Sequence, residues 1–85
     1  MKKQELPKWF DGTVYEKGSV VENPFSGEYC RLNNIELSMY DFIIGCNAVL
    51  EINILPQPSK MLDKMRKGLT WFRKNNPEAY MVLLD

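Results

Sequence analysis

The chain has 85 residues and a mass of 10.0 kDa, 45% of them hydrophobic and 26% charged. This composition suits one small domain with a thin core and excludes a disordered tail. Eleven Lys+Arg balance 11 Asp+Glu and there is no His, so the formal net charge is zero, and His-based triads, His-ligated zinc and imidazole acid–base chemistry are ruled out.

Residues 1–8 are expected to fray. They are basic at the start, but Glu5 and Pro7 leave no apolar core for a secretory signal. No stretch approaches the roughly 18 apolar residues of a membrane-spanning helix, so no membrane association and a cytosolic location are expected. Trp9-Phe10 is the first pair with enough apolar area to anchor to a core, and Asp11-Gly12 signals a turn. Thr13–Tyr15 and Ser19–Val21 are strand-favouring runs around Glu16-Lys17-Gly18, where glycine can take the positive φ of a tight reversal, so they read as a hairpin. Asn23-Pro24-Phe25-Ser26-Gly27 reads as a rigid connection with Phe25 folded back onto the core. A further strand, Glu28–Leu32, alternates polar and apolar side chains, with Tyr29 competing with Leu32 or Cys30 for the inward face.

Ser38 and Asp41 match a capping box, and Leu37 with Phe42 a hydrophobic staple, so a helix is predicted from about 38 to 52. Its apolar residues nearly encircle it: Met39, Phe42, Ile43, Cys46, Val49 and Leu50 on one side, Tyr40, Ile44 and Ala48 on another. Either the sheet and the later helices sandwich this helix from both sides, or one face joins a partner or a second copy, with Tyr40, Ile44 and Ala48 as the candidate contacts of a homodimer. Gly45 inside it implies close packing of another backbone. Pro56 and Pro58 end the element, and Ser59 caps a helix over 59–75 whose apolar stripe is Met61, Leu62, Met65, Leu69 and Phe72. Asn76 as N-cap with Pro77 at the first helical position starts a short helix over 77–84, a terminal strand being the alternative. The predicted fold is a single small α+β domain over residues 1–85: two or three short antiparallel strands followed by two long helices and one short one.

Charge is polarised along the chain. Residues 1–58 hold 5 basic and 8 acidic side chains, whereas residues 59–76 hold 6 basic and 1 acidic. On the second helix Lys60, Lys64, Lys67, Trp71 and Lys74 fall on one line, with Arg66 and Arg73 beside it. Such a ridge is a solvated face, a receptor for an acidic protein surface with Trp71 as hot spot, or a single-stranded nucleic-acid site with Trp71 stacking on a base. The absence of a basic surplus elsewhere weighs against nucleic acid.

No catalytic, cofactor or metal site is expected. Glu22, Glu28, Glu36, Asp41 and Glu51 have no spacing that separates them from a solvated surface, and Cys46 on an apolar helix face has no base to activate it. Cys30 and Cys46 are too few for a zinc cluster and read as two buried thiols. Gly27 and Gly45 are isolated and do not form a phosphate-binding loop.

Two stretches carry a family resemblance: Asn23–Gly27 followed by Glu36–Gly45, and Gly68–Tyr80. From Trp9 onward the chain resembles small proteins encoded by marine bacteriophages and marine bacteria. That family has no assigned activity to carry over. The resemblance implies an accessory protein of the host cytoplasm that binds a host protein.

Overall fold

A computed structural model describes residues 4–52 and 58–84. It contains strands β1 (Ser19–Glu22) and β2 (Tyr29–Leu32), then helices α1 (Asn34–Ile52), α2 (Pro58–Asn75) and α3 (Pro77–Leu83). A two-stranded antiparallel sheet followed by three helices is the small α+β domain the sequence predicts.

The hairpin is not the one expected. β1 pairs with β2, placing Val21 opposite Cys30 and Ser19 opposite Leu32. Thr13–Tyr15 forms no strand, because the Tyr15 backbone is taken up by α1: its N–H donates to Ser38 Oγ at 2.9 Å and its carbonyl accepts from Asn34 Nδ2 at 3.4 Å. Leu32 is buried and Cys30 half-buried on the inner face, while Tyr29 is 67% exposed on the outer one. Gly18 is required for close approach rather than for a positive φ, since a Cβ there would lie 2.1 Å from the Leu32 carbonyl oxygen.

The connection Asn23–Gly27 is the hairpin loop. Asn23 Oδ1 accepts from the N–H groups of Phe25 and Ser26 at 2.8 and 3.3 Å, and Gly27 closes the turn at φ 76°. The Asn23 amide also donates to the Val82 carbonyl at 2.8 Å, fixing the loop to the end of α3. Phe25 does not fold onto the core; it is 97% exposed, because the turn that Asn23 closes presents it outward.

α1 begins four residues before the expected start. The capping box is Asn33 with Glu36: Asn33 Oδ1 accepts the Glu36 N–H at 2.8 Å and Glu36 Oε1 accepts the Asn33 N–H at 3.0 Å. Ser38 is therefore a fully buried residue of the second turn, and its hydroxyl donates to the Asn34 carbonyl at 2.7 Å. α1 is described through Ile52, and the expected end of the element and stiffening around Pro56 and Gln57 lie outside the described residues. α2 opens at Pro58, so Ser59 sits inside its first turn. In α3 the expected cap is present: Asn76 Oδ1 accepts the Ala79 N–H at 3.1 Å and Pro77 follows it.

The core lies where α1, α2, α3 and β2 meet. Phe72, Met39, Ala79 and Leu32 are fully buried there, with Ile43 and Leu83 beside them. The close approach of α1 and α2 occurs at Gly68, whose missing Cβ would lie 3.1 Å from Ile43 Cγ1 and 3.2 Å from Met39 Sδ. Gly45, expected to play that part, has nothing within 4 Å of its Cβ position. Among the described residues no helix is long and apolar enough to cross a membrane.

Candidate functional site

The basic line on α2 does not remain a uniform ridge. Lys64 Nζ lies 2.8 Å from Asp11 Oδ2, and Lys67 Nζ lies 3.3 Å from Asp63 one turn back. The Arg73 guanidinium sits 5.9 Å from the centre of the Tyr80 ring, a cation–π contact on the flank facing α3. Lys60 is exposed near the start of the helix. Among the described residues Arg66 and Lys74 are exposed and make no ion pair. Part of the cationic line is thus taken by internal acids; Lys60 stays exposed near the helix start, and Arg66, Lys67 and Lys74 cluster nearer its end.

These three cations line an open groove of about 420 Å³ together with Pro7, Trp9, Thr70 and Trp71. One wall is the α2 face carrying positions 66, 67, 70, 71 and 74, which fall on one side over two turns. The opposite wall comes from the segment before the sheet. Of the residues expected to fray, 4–8 are held there by specific bonds. Gln4 Nε2 donates to Glu36 Oε2 at 2.9 Å, Gln4 Oε1 accepts from Asn33 Nδ2 at 2.8 Å, and Phe10 N–H closes a turn onto the Pro7 carbonyl at 3.1 Å. Trp9 and Phe10 both pack on Phe42 of α1, with ring centroids 5.9 and 5.2 Å away, as the anchoring role of this pair predicts.

Trp71 is half-buried, and its indole N–H donates to the Glu5 carbonyl at 3.0 Å. Its ring also meets Phe72 edge-on at 6.2 Å. The polar handle is satisfied internally and the ring plane is set, so the part left in the groove is a fixed apolar surface among cations. The Thr70 hydroxyl is likewise turned back, donating to the Arg66 carbonyl at 3.1 Å.

Glu36, grouped in the sequence with the surface acids, is buried at 6% exposure and organises this wall. Besides its cap, Glu36 Oε2 accepts from Gln4 Nε2 and from Asn76 Nδ2 at 3.1 Å, tying together the first segment, the start of α1 and the α2–α3 junction. The pattern Asn33-x-x-Glu36 is the signal that identifies it.

The residues expected to form a dimer contact divide. Tyr40 is half-buried and packs on the core, whereas Ile44 is 42% exposed and Ala48 is exposed, with Ile52 continuing the line at 60%. Both cysteines are free; Cys46 is buried and Cys30 half-buried. Burial pushes both thiols up from their ordinary range, away from the reactive thiolate. Among the described residues no group of three His, Cys, Asp or Glu side chains is placed to hold a metal ion. Comparison with protein-family models, with curated proteins and with solved structures gave no match.

Proposed function

We propose that the chain is a small protein-interaction module, without catalytic activity, that binds a protein partner through the α2 groove; the phage resemblance makes a host protein in the cytoplasm the natural partner. The observation that carries this reading is the setting of Trp71. Its N–H is already bonded to Glu5, so the ring offers a rigid apolar anchor beside Arg66 and Lys74, which make no ion pair among the described residues. Tryptophan and arginine in such a setting are the residue types that dominate protein interfaces. Lys64 and Lys67 contribute less, because Asp11 and Asp63 hold them.

The test is quantitative capture from cellular extract with and without nuclease, comparing the wild-type chain with Trp71→Ala and with Arg66→Glu/Lys74→Glu. Loss of a nuclease-resistant protein by about tenfold or more in folded variants supports the assignment. Retention of that protein by both variants refutes it, and enrichment that disappears with nuclease moves the site to single-stranded nucleic acid.

The exposed Ile44, Ala48 and Ile52 line supports a second reading, association of two copies through α1. Its signature is a mass that rises with concentration and is lowered by Ile44→Asp.

A further inference from the structure

The groove has two cationic ends with an apolar stretch between them. Arg66 and Lys74 are eight positions apart on α2, which at about 1.5 Å per residue separates them by about 12 Å along the helix. Lys67, beside Arg66, is partly neutralised by Asp63, and Trp71 lies between the two ends with Trp9 and Pro7 across from it. A ligand that satisfies both ends carries two negative charges about 12 Å apart and something apolar in the middle. In an extended peptide, at about 3.3 Å per residue, that distance is three to four residues.

We propose that the groove takes an extended acidic peptide segment with two carboxylates three to four residues apart and an apolar side chain between them laid on Trp9 and Trp71. This rests on the protein-interaction reading above and names the chemistry of the partner. Charge complementarity selects the occupant: within the groove Arg66 and Lys74, which make no ion pair among the described residues, stand at its two ends, and no acidic side chain lines it between them. Preorganisation favours an extended segment over a side chain inserted alone. The Gln4 bonds to Glu36 and Asn33 fix one wall, and the Glu5–Trp71 bond fixes the other to it, so little ordering remains to be done on binding.

The experiment is titration of the full chain with blocked synthetic peptides lacking Trp and Tyr, followed by tryptophan fluorescence and by the indole N–H resonance of Trp71. One peptide carries two aspartates four positions apart around a central leucine; a second has the same composition with the aspartates adjacent; a third replaces the leucine by glycine; oligothymidylate is the polyanion. The spaced peptide is expected to bind about tenfold tighter than either variant peptide. Arg66→Gln and Lys74→Gln should each weaken it by about tenfold, whereas Lys60→Gln, outside the groove, should change it by less than about twofold. Equal binding of the two aspartate isomers, still weakened by Arg66→Gln and Lys74→Gln, overturns the spacing rule and leaves the interaction face in place. Peptide binding indifferent to both substitutions, or no peptide binding at all, overturns the proposal, the first of these refuting the face as well. Oligothymidylate binding tighter than every peptide replaces the protein reading with a nucleic-acid one.

Discussion

Glu36 shows how one side chain can hold a wall of the candidate site without touching a ligand. Its oxygens accept from the Asn33 backbone, Gln4 and Asn76, and all three donors are neutral. Glu36→Ala removes the shared acceptor of three part-buried bonds, leaving Gln4 Nε2 only its longer bond to the Asn75 carbonyl, a change expected to cost about 1–3 kcal/mol; Glu36→Gln keeps one acceptor oxygen and should cost less. Urea midpoints check this order. Asn76→Ala removes both the α3 cap and a Glu36 bond, so its loss should exceed the ~1 kcal/mol of an ordinary cap. The cysteines give a pH dependence of definite sign. Burial raises both thiols above their ordinary value of 9.0, with Glu36 and Glu78 adding at Cys30 and Asp11 adding at Cys46 against Lys64. Since the folded chain holds these protons more tightly than the unfolded chain, the stability they contribute is complete below the ordinary thiol value and is lost as pH rises through the folded one. Tyr40, raised by burial, extends the loss to higher pH. The urea midpoint should therefore be level between about pH 7 and 8 and fall above about pH 9, less steeply in Cys30→Ala.

At the scale of elements, the two helical glycines separate backbone propensity from packing. Gly45 faces open space, so Gly45→Ala should stabilise the chain by roughly 0.5–1 kcal/mol. Gly68→Ala gains the same propensity, but its Cβ meets Ile43 Cγ1 at 3.1 Å and Met39 Sδ at 3.2 Å. Ile43 is β-branched and nearly fully buried, so it yields little, and a net loss of about 1 kcal/mol is expected. Thermal unfolding of the two variants should move in opposite directions. This pair also marks what the sequence could convey: both glycines lie in apolar patterns, and only the three-dimensional approach of α1 and α2 distinguishes them. The same holds for the start of α1. Asn33/Glu36 and Ser38/Asp41 are both capping-box patterns, and the earlier pair prevails because Tyr15 and Asn34 use the Ser38 hydroxyl inside the helix. The α3 cap was legible since Asn76-Pro77 leaves no local competitor. The α2 side of the groove was legible from helical spacing, but its other wall was not, because Gln4 bonds residues 29 and 32 positions away in sequence.

For the whole molecule, a zero net charge conceals opposed regions, and this sets how any association between copies of the chain would respond to salt. If copies associate through charge, the 6 basic side chains of residues 59–76, against 1 acidic one, would meet the acidic excess of residues 1–58 in a second copy, an attraction that salt screens over about 8 Å at physiological strength. The α1 line behaves in the opposite way. Ile44, Ala48 and Ile52 are apolar, and Asp41 and Glu51 lie near its two ends, so two copies pairing antiparallel through this face bring acids together and are helped by screening. Among the described residues the exposed apolar side chains of this line are Ile44, Ala48 and Ile52, with Tyr40 already engaged with the core, a small patch beside the roughly 800 Å² per partner of a stable interface. Association through α1 should accordingly be weak and should strengthen when salt is raised from about 0.02 to 0.5 M, while association through charge should weaken over the same range. Sedimentation equilibrium of the wild-type chain, Ile44→Asp and Lys74→Glu at the two salt concentrations separates them. A dimer that grows with salt and is lost in Ile44→Asp assigns the contact to α1; one that declines with salt and is lost in Lys74→Glu places it in the α2 groove, with an acidic segment of a second copy as its occupant.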